Sequence, residues 1–139
     1  MKKVLCFVLP MLLICAFAAA CSNAEQPVGG VEVDLTRLSV TMMYAEVDNI
    51  VKNPEDYIGK TIKMSGPYYA VYNAADRYRH FVAVEEADAC CMRGLEFEYP
   101  EDSLEEKTRI EVTGIYSSYE DGGKAYYYLA VDDVVVLEG

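Results

Sequence analysis

The hydrophobic and polar positions of this chain change period once, near Lys60. Before that point Met43, Val47, Ile50 and Val51 fall at i, i+4, i+7 and i+8, one apolar stripe that predicts a helix. Ser39 or Thr41 supplies its N-cap. Asn53-Pro54 ends it, because proline disfavours helical geometry in the residue ahead of it. From Lys60 onward the period is two. Ile62, Met64 and Gly66 alternate with Thr61, Lys63 and Ser65; Leu95, Phe97 and Tyr99 alternate with Glu96 and Glu98. Ile110, Val112 and Gly114 alternate in the same way with Arg109, Glu111 and Thr113. Such strands bury one face and wet the other, as in an antiparallel sheet. Asp121-Gly122-Gly123 predicts a hairpin turn, and Ala125 to Leu137 a long strand with a break near Asp132-Asp133.

A shift of 48 residues overlays Ile62 on Ile110, Met64 on Val112, Gly66 on Gly114 and Tyr68 on Tyr116. Each copy runs on into a tyrosine-containing strand, Tyr78 to Val84 and Tyr126 to Val131. A mid-strand glycine lets a strand coil sharply and pair with both halves of a small closed barrel. The expected fold class is therefore mainly β: a five-stranded antiparallel barrel resembling the oligonucleotide/oligosaccharide-binding (OB) fold, preceded by one short α-helix. Two ordinary hairpins without closure are the simpler alternative.

The first 21 residues bear on location. Lys2 and Lys3 precede an apolar run, Val4 to Ala20, which closes in Ala18-Ala19-Ala20 before Cys21. Positive flank, apolar run and small-residue exit are the parts of an export signal. With the cysteine placed there, the segment resembles a bacterial lipoprotein signal, which implies lipidation of Cys21; Ala18 stands where that family usually carries leucine. Ordinary cleavage after Ala20 and an uncleaved anchor are the alternatives, although 17 residues containing Pro10 fall short of the about 20 a bilayer core needs. The expected organisation is a signal over 1–20, a tether over 21–40 that turns strand-like around Val31 to Val33, and a helix-plus-barrel domain over 41–139. Its place is the outer side of a bacterial membrane.

Loss of Lys2 and Lys3 deepens the net charge from −11 to −13. A domain so acidic repels phosphate backbones, so nucleic acid is expected to be excluded as a partner. The membrane, through its lipid anchor, and an envelope protein, peptide or sugar remain. Asn53 to Thr61, then Gly66, then the acidic run ending in Cys90-Cys91, resemble small bacterial lipoproteins with such a barrel. They are also similar to the extracytoplasmic barrel-like domain of permease-associated membrane proteins. The resemblance spans about residues 43–137 and implies a fold and a compartment, with no settled activity.

Catalytic signals are sparse. His80 is the only histidine and sits in a strand-like context that favours a surface or edge role. No nucleophile elbow, phosphate-binding loop or dinucleotide fingerprint is present, and the expectation is a protein that is not an enzyme and needs no cofactor. Cys6 and Cys15 leave with the signal, so Cys90 and Cys91 are the thiols of the folded part. With His80 they could hold zinc or copper, but neighbours on a strand point to opposite faces. A bridge between them would be strained, since their Cα atoms lie about 3.8 Å apart. Packing of one cysteine as a small hydrophobe is the plainest reading. The other candidate surface is aromatic: Tyr68, Tyr69, Tyr72 and Tyr78 in one hairpin, and Tyr116, Tyr119, Tyr126 and Tyr128 in the other. Rings of this kind stack on ligands, or else pack as cross-strand pairs.

Overall fold

The computed structural model describes residues 30–73, 77–85, 91–99 and 104–138. Strand β1 (Val33–Asp34) leads through a 3-10 turn (Leu35–Arg37) into helix α1 (Val40–Lys52). Five strands follow: β2 (Thr61–Asn73), β3 (Arg77–Glu85), β4 (Met92–Phe97), β5 (Arg109–Asp121) and β6 (Lys124–Val136). The Ser39 hydroxyl accepts from the Met42 N–H and so caps α1, in preference to Thr41. Met43, Val47 and Ile50 are buried, whereas Val51 is exposed at the edge of the stripe.

The sheet runs β1-β2-β3-β4-β6-β5, and β2 also pairs with β5, so β2 to β6 close into a five-stranded barrel. Strand β2 makes closure possible by serving two partners. Thr61 to Pro67 pair with β5, and Tyr68 to Asn73 pair with β3. The exchange falls just after Gly66. A Cβ at this residue would overlap the carbonyl oxygen of Ala83 in β3, so only glycine allows the backbones to approach this closely. Gly114 plays the matching part in β5, where a Cβ would lie 2.5 Å from the Ala130 oxygen.

Three expectations change. The barrel is mixed, not wholly antiparallel, because β4 and β6 run parallel where Phe97 meets Leu129. Each of the two lies two antiparallel pairings from β2, so both run in its direction and only a parallel seam can join them. The break near Asp132-Asp133 is a bulge inside a continuous strand: Thr113 faces Asp133 and Gly114 faces Val131, leaving Asp132 as the extra residue. The domain also begins earlier than residue 41. β1 lies parallel to β2 with Val33 opposite Ile62, and Leu35 is fully buried, so 33–39 belong to the folded unit. Residues 1–29, including Cys21, lie outside the described residues. Among the described residues no helix is long and apolar enough to cross a membrane.

The core fills the barrel with the inward positions the alternation predicts: Ile62, Met64, Val82, Leu95, Ile110 and Val112 are all at or near zero exposure. Helix α1 packs its buried face against β3 and β4, and Arg93 in β4 reaches Asp48 at 2.9 Å. Buried Tyr57, just beyond the helix, donates to Glu46 (2.7 Å) and accepts from Asn49 (2.6 Å), which fixes the connection into β2.

Candidate functional site

The parallel seam is the thinnest part of the barrel. Phe97 and Leu129 are its one paired position, supported by a Glu98 N–H to Leu129 carbonyl bond of 3.1 Å. Around it, side chains take over from backbone. Arg79 on β3 grips Glu96 on β4 with two hydrogen bonds, one of 2.9 Å from Nε to Oε1. Its guanidinium also lies over the Tyr126 ring of β6, 5.2 Å from the centroid, and over Phe81 at 5.4 Å. Tyr119 of β5 completes the bridge by donating to Glu96 at 3.3 Å. Tyr126 stacks on Tyr119 at 5.3 Å, and Tyr128 meets the same ring edge-on at 5.6 Å.

These groups border a cleft of about 390 Å³ between β3–β4 and the tip of the β5–β6 hairpin. Tyr78, Arg79, Glu96, Tyr99, Tyr119 and Tyr128 line it, together with His80, Phe97, Glu98 and Asp121. The hairpin tip is tight because Gly122 and Gly123 adopt φ of 57° and 77°, which brings Asp121 opposite Lys124. Strands 2 and 3 of an OB barrel, with the loop joining strands 4 and 5, form the ligand face of that fold. Counted within this barrel, they are β3, β4 and the β5–β6 tip.

The electrostatics are those of a preset polar pair in an aromatic wall. The hydrogen bond to Glu96 raises the Arg79 guanidinium pKa further, so Arg79 stays a cation. Burial, followed by the carboxylate of Glu96, raises the Tyr119 phenol, which stays a donor. His80 forms the floor. Only 7% exposed, it lies 2.7 Å through Nδ1 from the Tyr68 hydroxyl and stacks on that ring at 5.8 Å. Burial lowers its pKa against a smaller opposing pull from Glu96, so the imidazole is neutral in the folded protein.

The tyrosines divide in two. Tyr68 and Tyr116 are core residues, at 0% and 3% exposure, and burial pushes the Tyr116 phenol up to about 12. Alternation carries the reason: Tyr68 continues the inward set of Ile62, Met64 and Gly66, and Tyr116 continues that of Ile110, Val112 and Gly114. Tyr78, Tyr119 and Tyr128 do converge on the cleft, and Tyr126 stands behind them. Tyr72 pairs edge-on with Tyr78 at 5.1 Å, whereas Tyr69 turns away to donate to Glu85 at 2.7 Å.

His80 is thus a buried core residue and not the surface or edge residue expected. Nor is it brought to the cysteines. In the β3–β4 ladder His80 faces Phe97 and Glu85 faces Met92, so Cys91 lies about 20 Å from His80 at the ordinary rise per residue. The metal set Cys90, Cys91 and His80 is therefore not assembled: Cys91 is exposed ahead of β4, and Cys90 lies outside the described residues. Among the described residues no three histidine, cysteine or acidic side chains cluster as metal ligands.

Arg79 and Glu96 were not legible as a site. Both occupy outward strand positions, but their pairing is diagonal across a register that sequence alone does not provide.

No protein-family model and no curated protein matches the chain. Among solved structures it is similar to the dimeric N-terminal domain of PriB protein from Thermoanaerobacter tencongensis, with 16% identity and a TM-score of 0.39. That match covers 57% of this chain and 97% of the PriB domain. The expectation that nucleic acid is excluded as a partner does not stand. The fold class of this barrel includes oligonucleotide binders, and a net charge summed over a whole surface does not describe one groove in it.

Proposed function

We propose that this protein is a binding module, lipid-anchored at Cys21 on the outer side of a bacterial membrane, whose ligand occupies the cleft beside the parallel seam. The observation that carries the reading is the convergence of Tyr78, Tyr99, Tyr119 and Tyr128 around the Arg79–Glu96 pair in a cavity of about 390 Å³. Ring faces offer stacking area at little entropic cost, and the ion pair offers a donor and an acceptor held in place before a ligand arrives. A sugar ring or a peptide segment uses both. The reading includes no catalysis: His80 is buried and engages the Tyr68 hydroxyl through Nδ1.

The chain has twelve tyrosines and no tryptophan, so its emission is tyrosine emission, to which the four tyrosines of the cleft contribute. Titration of the full chain with oligosaccharides, with short peptides and with a single-stranded oligonucleotide is expected to give saturable changes for a sugar or a peptide. Tyr119→Ala and Tyr128→Ala are each expected to weaken that binding about ten-fold. Binding that survives both substitutions removes the cleft from the reading, and saturation by the oligonucleotide alone replaces the ligand class.

A further inference from the structure

A second groove, sharing no residue with the cleft, lies on the outer face of the barrel where β2 bends. Val40 and Met43 at the start of α1, Pro67 and Tyr69 of β2, and Lys107 and Arg109 ahead of and within β5 line about 370 Å³. That size lies near the lower end for small-molecule sites. Its charge runs against that of the molecule. In a chain of net charge −11, the groove gathers two cations and one acid, Glu85, whose Oε1 already accepts from Tyr69. Neither Lys107 nor Arg109 forms an ion pair among the described residues, although Glu105 and Glu106 precede them in the chain and Glu111 follows, bound to Lys63.

Lys107 is also held in place by the fold. It is the one described non-glycine residue with positive φ, at 69°, a region that glycine or asparagine enters more readily. Its N–H donates to the Tyr68 carbonyl and the Tyr68 N–H donates to the Thr108 carbonyl, both at 2.8 Å. Those two bonds extend the β2–β5 ladder by one step and place Lys107 and Arg109 on either side of the same bend. We infer that this groove binds a small oxyanion carried on a compact apolar body, such as an aryl or acyl phosphate. Lys107 and Arg109 take the anion while Val40, Pro67 and the Tyr69 ring cover the apolar part. The inference stands on its own surface and does not depend on the cleft.

The test follows backbone amide shifts of the full chain with phenyl phosphate, inorganic phosphate and phenol as soluble probes. A second arm uses nanodiscs with and without phosphatidate, which carries the same phosphate monoester on a lipid. Saturable shifts at Ser65, Tyr69 and Lys107 to Arg109 are expected with phenyl phosphate or phosphatidate, and the responding arm identifies the source. Lys107→Asn and Arg109→Gln are each expected to weaken binding about ten-fold, the value of a charged hydrogen bond. Lys107→Asn is expected to melt no lower than wild type, which separates lost binding from lost folding. No shift in either arm, shifts undiminished in the double variant, or equal binding of inorganic phosphate overturns the proposal. A response to a single-stranded oligonucleotide alone does so too.

Discussion

The barrel is closed in two different ways on its two sides. On the side running from β3 through β2 and β5 to β6, backbone ladders run nearly without interruption, and Gly66 against β3 and Gly114 against β6 let strands approach until no Cβ fits between them. On the β4–β6 side, one paired position is supplemented by Arg79, Glu96, Tyr119 and Tyr126. Backbone closure is insensitive to side-chain identity except where the chain must be bare. Side-chain closure leaves polar atoms and ring faces at the surface, where a ligand can reach them. The candidate site therefore lies on the weaker seam.

That contrast can be broken most severely at Gly66. Gly66→Ala is expected to destabilise by at least about 3 kcal/mol in urea unfolding, since the new Cβ meets backbone that cannot move aside. Gly114→Ala is expected to cost somewhat less, about 2 kcal/mol, because the adjoining bulge gives β6 room to shift. A loss under about 0.5 kcal/mol for both would mean that the glycine contacts do not hold the barrel shut.

On the other seam, Arg79→Met is expected to cost about 1–2 kcal/mol by leaving the largely buried Glu96 carboxylate without its partner. The double variant Arg79→Met/Glu96→Leu is expected to recover part of that loss, because no unpaired charge remains. A double variant less stable than the single one would show that the pair itself holds the seam. Tyr119→Phe removes only the bond to Glu96 and is expected to shift stability by about 0.5 kcal/mol, while weakening ligand binding at the cleft.

The smallest effect is a pH dependence beneath the cleft. His80 has a lowered pKa in the folded state, so as pH falls through its ordinary value of 6.5 the unfolded chain takes up a proton and the folded one does not. The unfolded state then binds more protons, and stability declines from about pH 6.5 down to the lowered folded pKa, below which this contribution stays constant. Thermal melts of wild type between pH 7.5 and 5 should therefore fall more steeply than those of His80→Gln. Parallel curves would remove His80 as the source.

Much of the architecture was legible because it depends on local chemistry. Helix α1, its Ser39 cap and Asn53-Pro54 end, the inward sets of β2 and β5, and the Gly122-Gly123 turn follow from periodicity and from backbone freedom at single residues. The alternation also contained the burial of Tyr68 and Tyr116, two positions beyond Gly66 and Gly114 on the same inward face. Local chemistry did not reach His80, whose strand position is compatible with either an edge or a core until its neighbours Tyr68 and Phe97 are known.

The sequence by itself determined which residues are strands, which faces turn inward and where glycine is obligatory, because each depends on neighbours one to four residues away. Only the tertiary structure decided the parallel β4–β6 seam, the diagonal Arg79–Glu96 pair and the meeting of Tyr78 with Tyr119 and Tyr128. Those depend on strand order and register, which are settled by the closing of the whole barrel around one core.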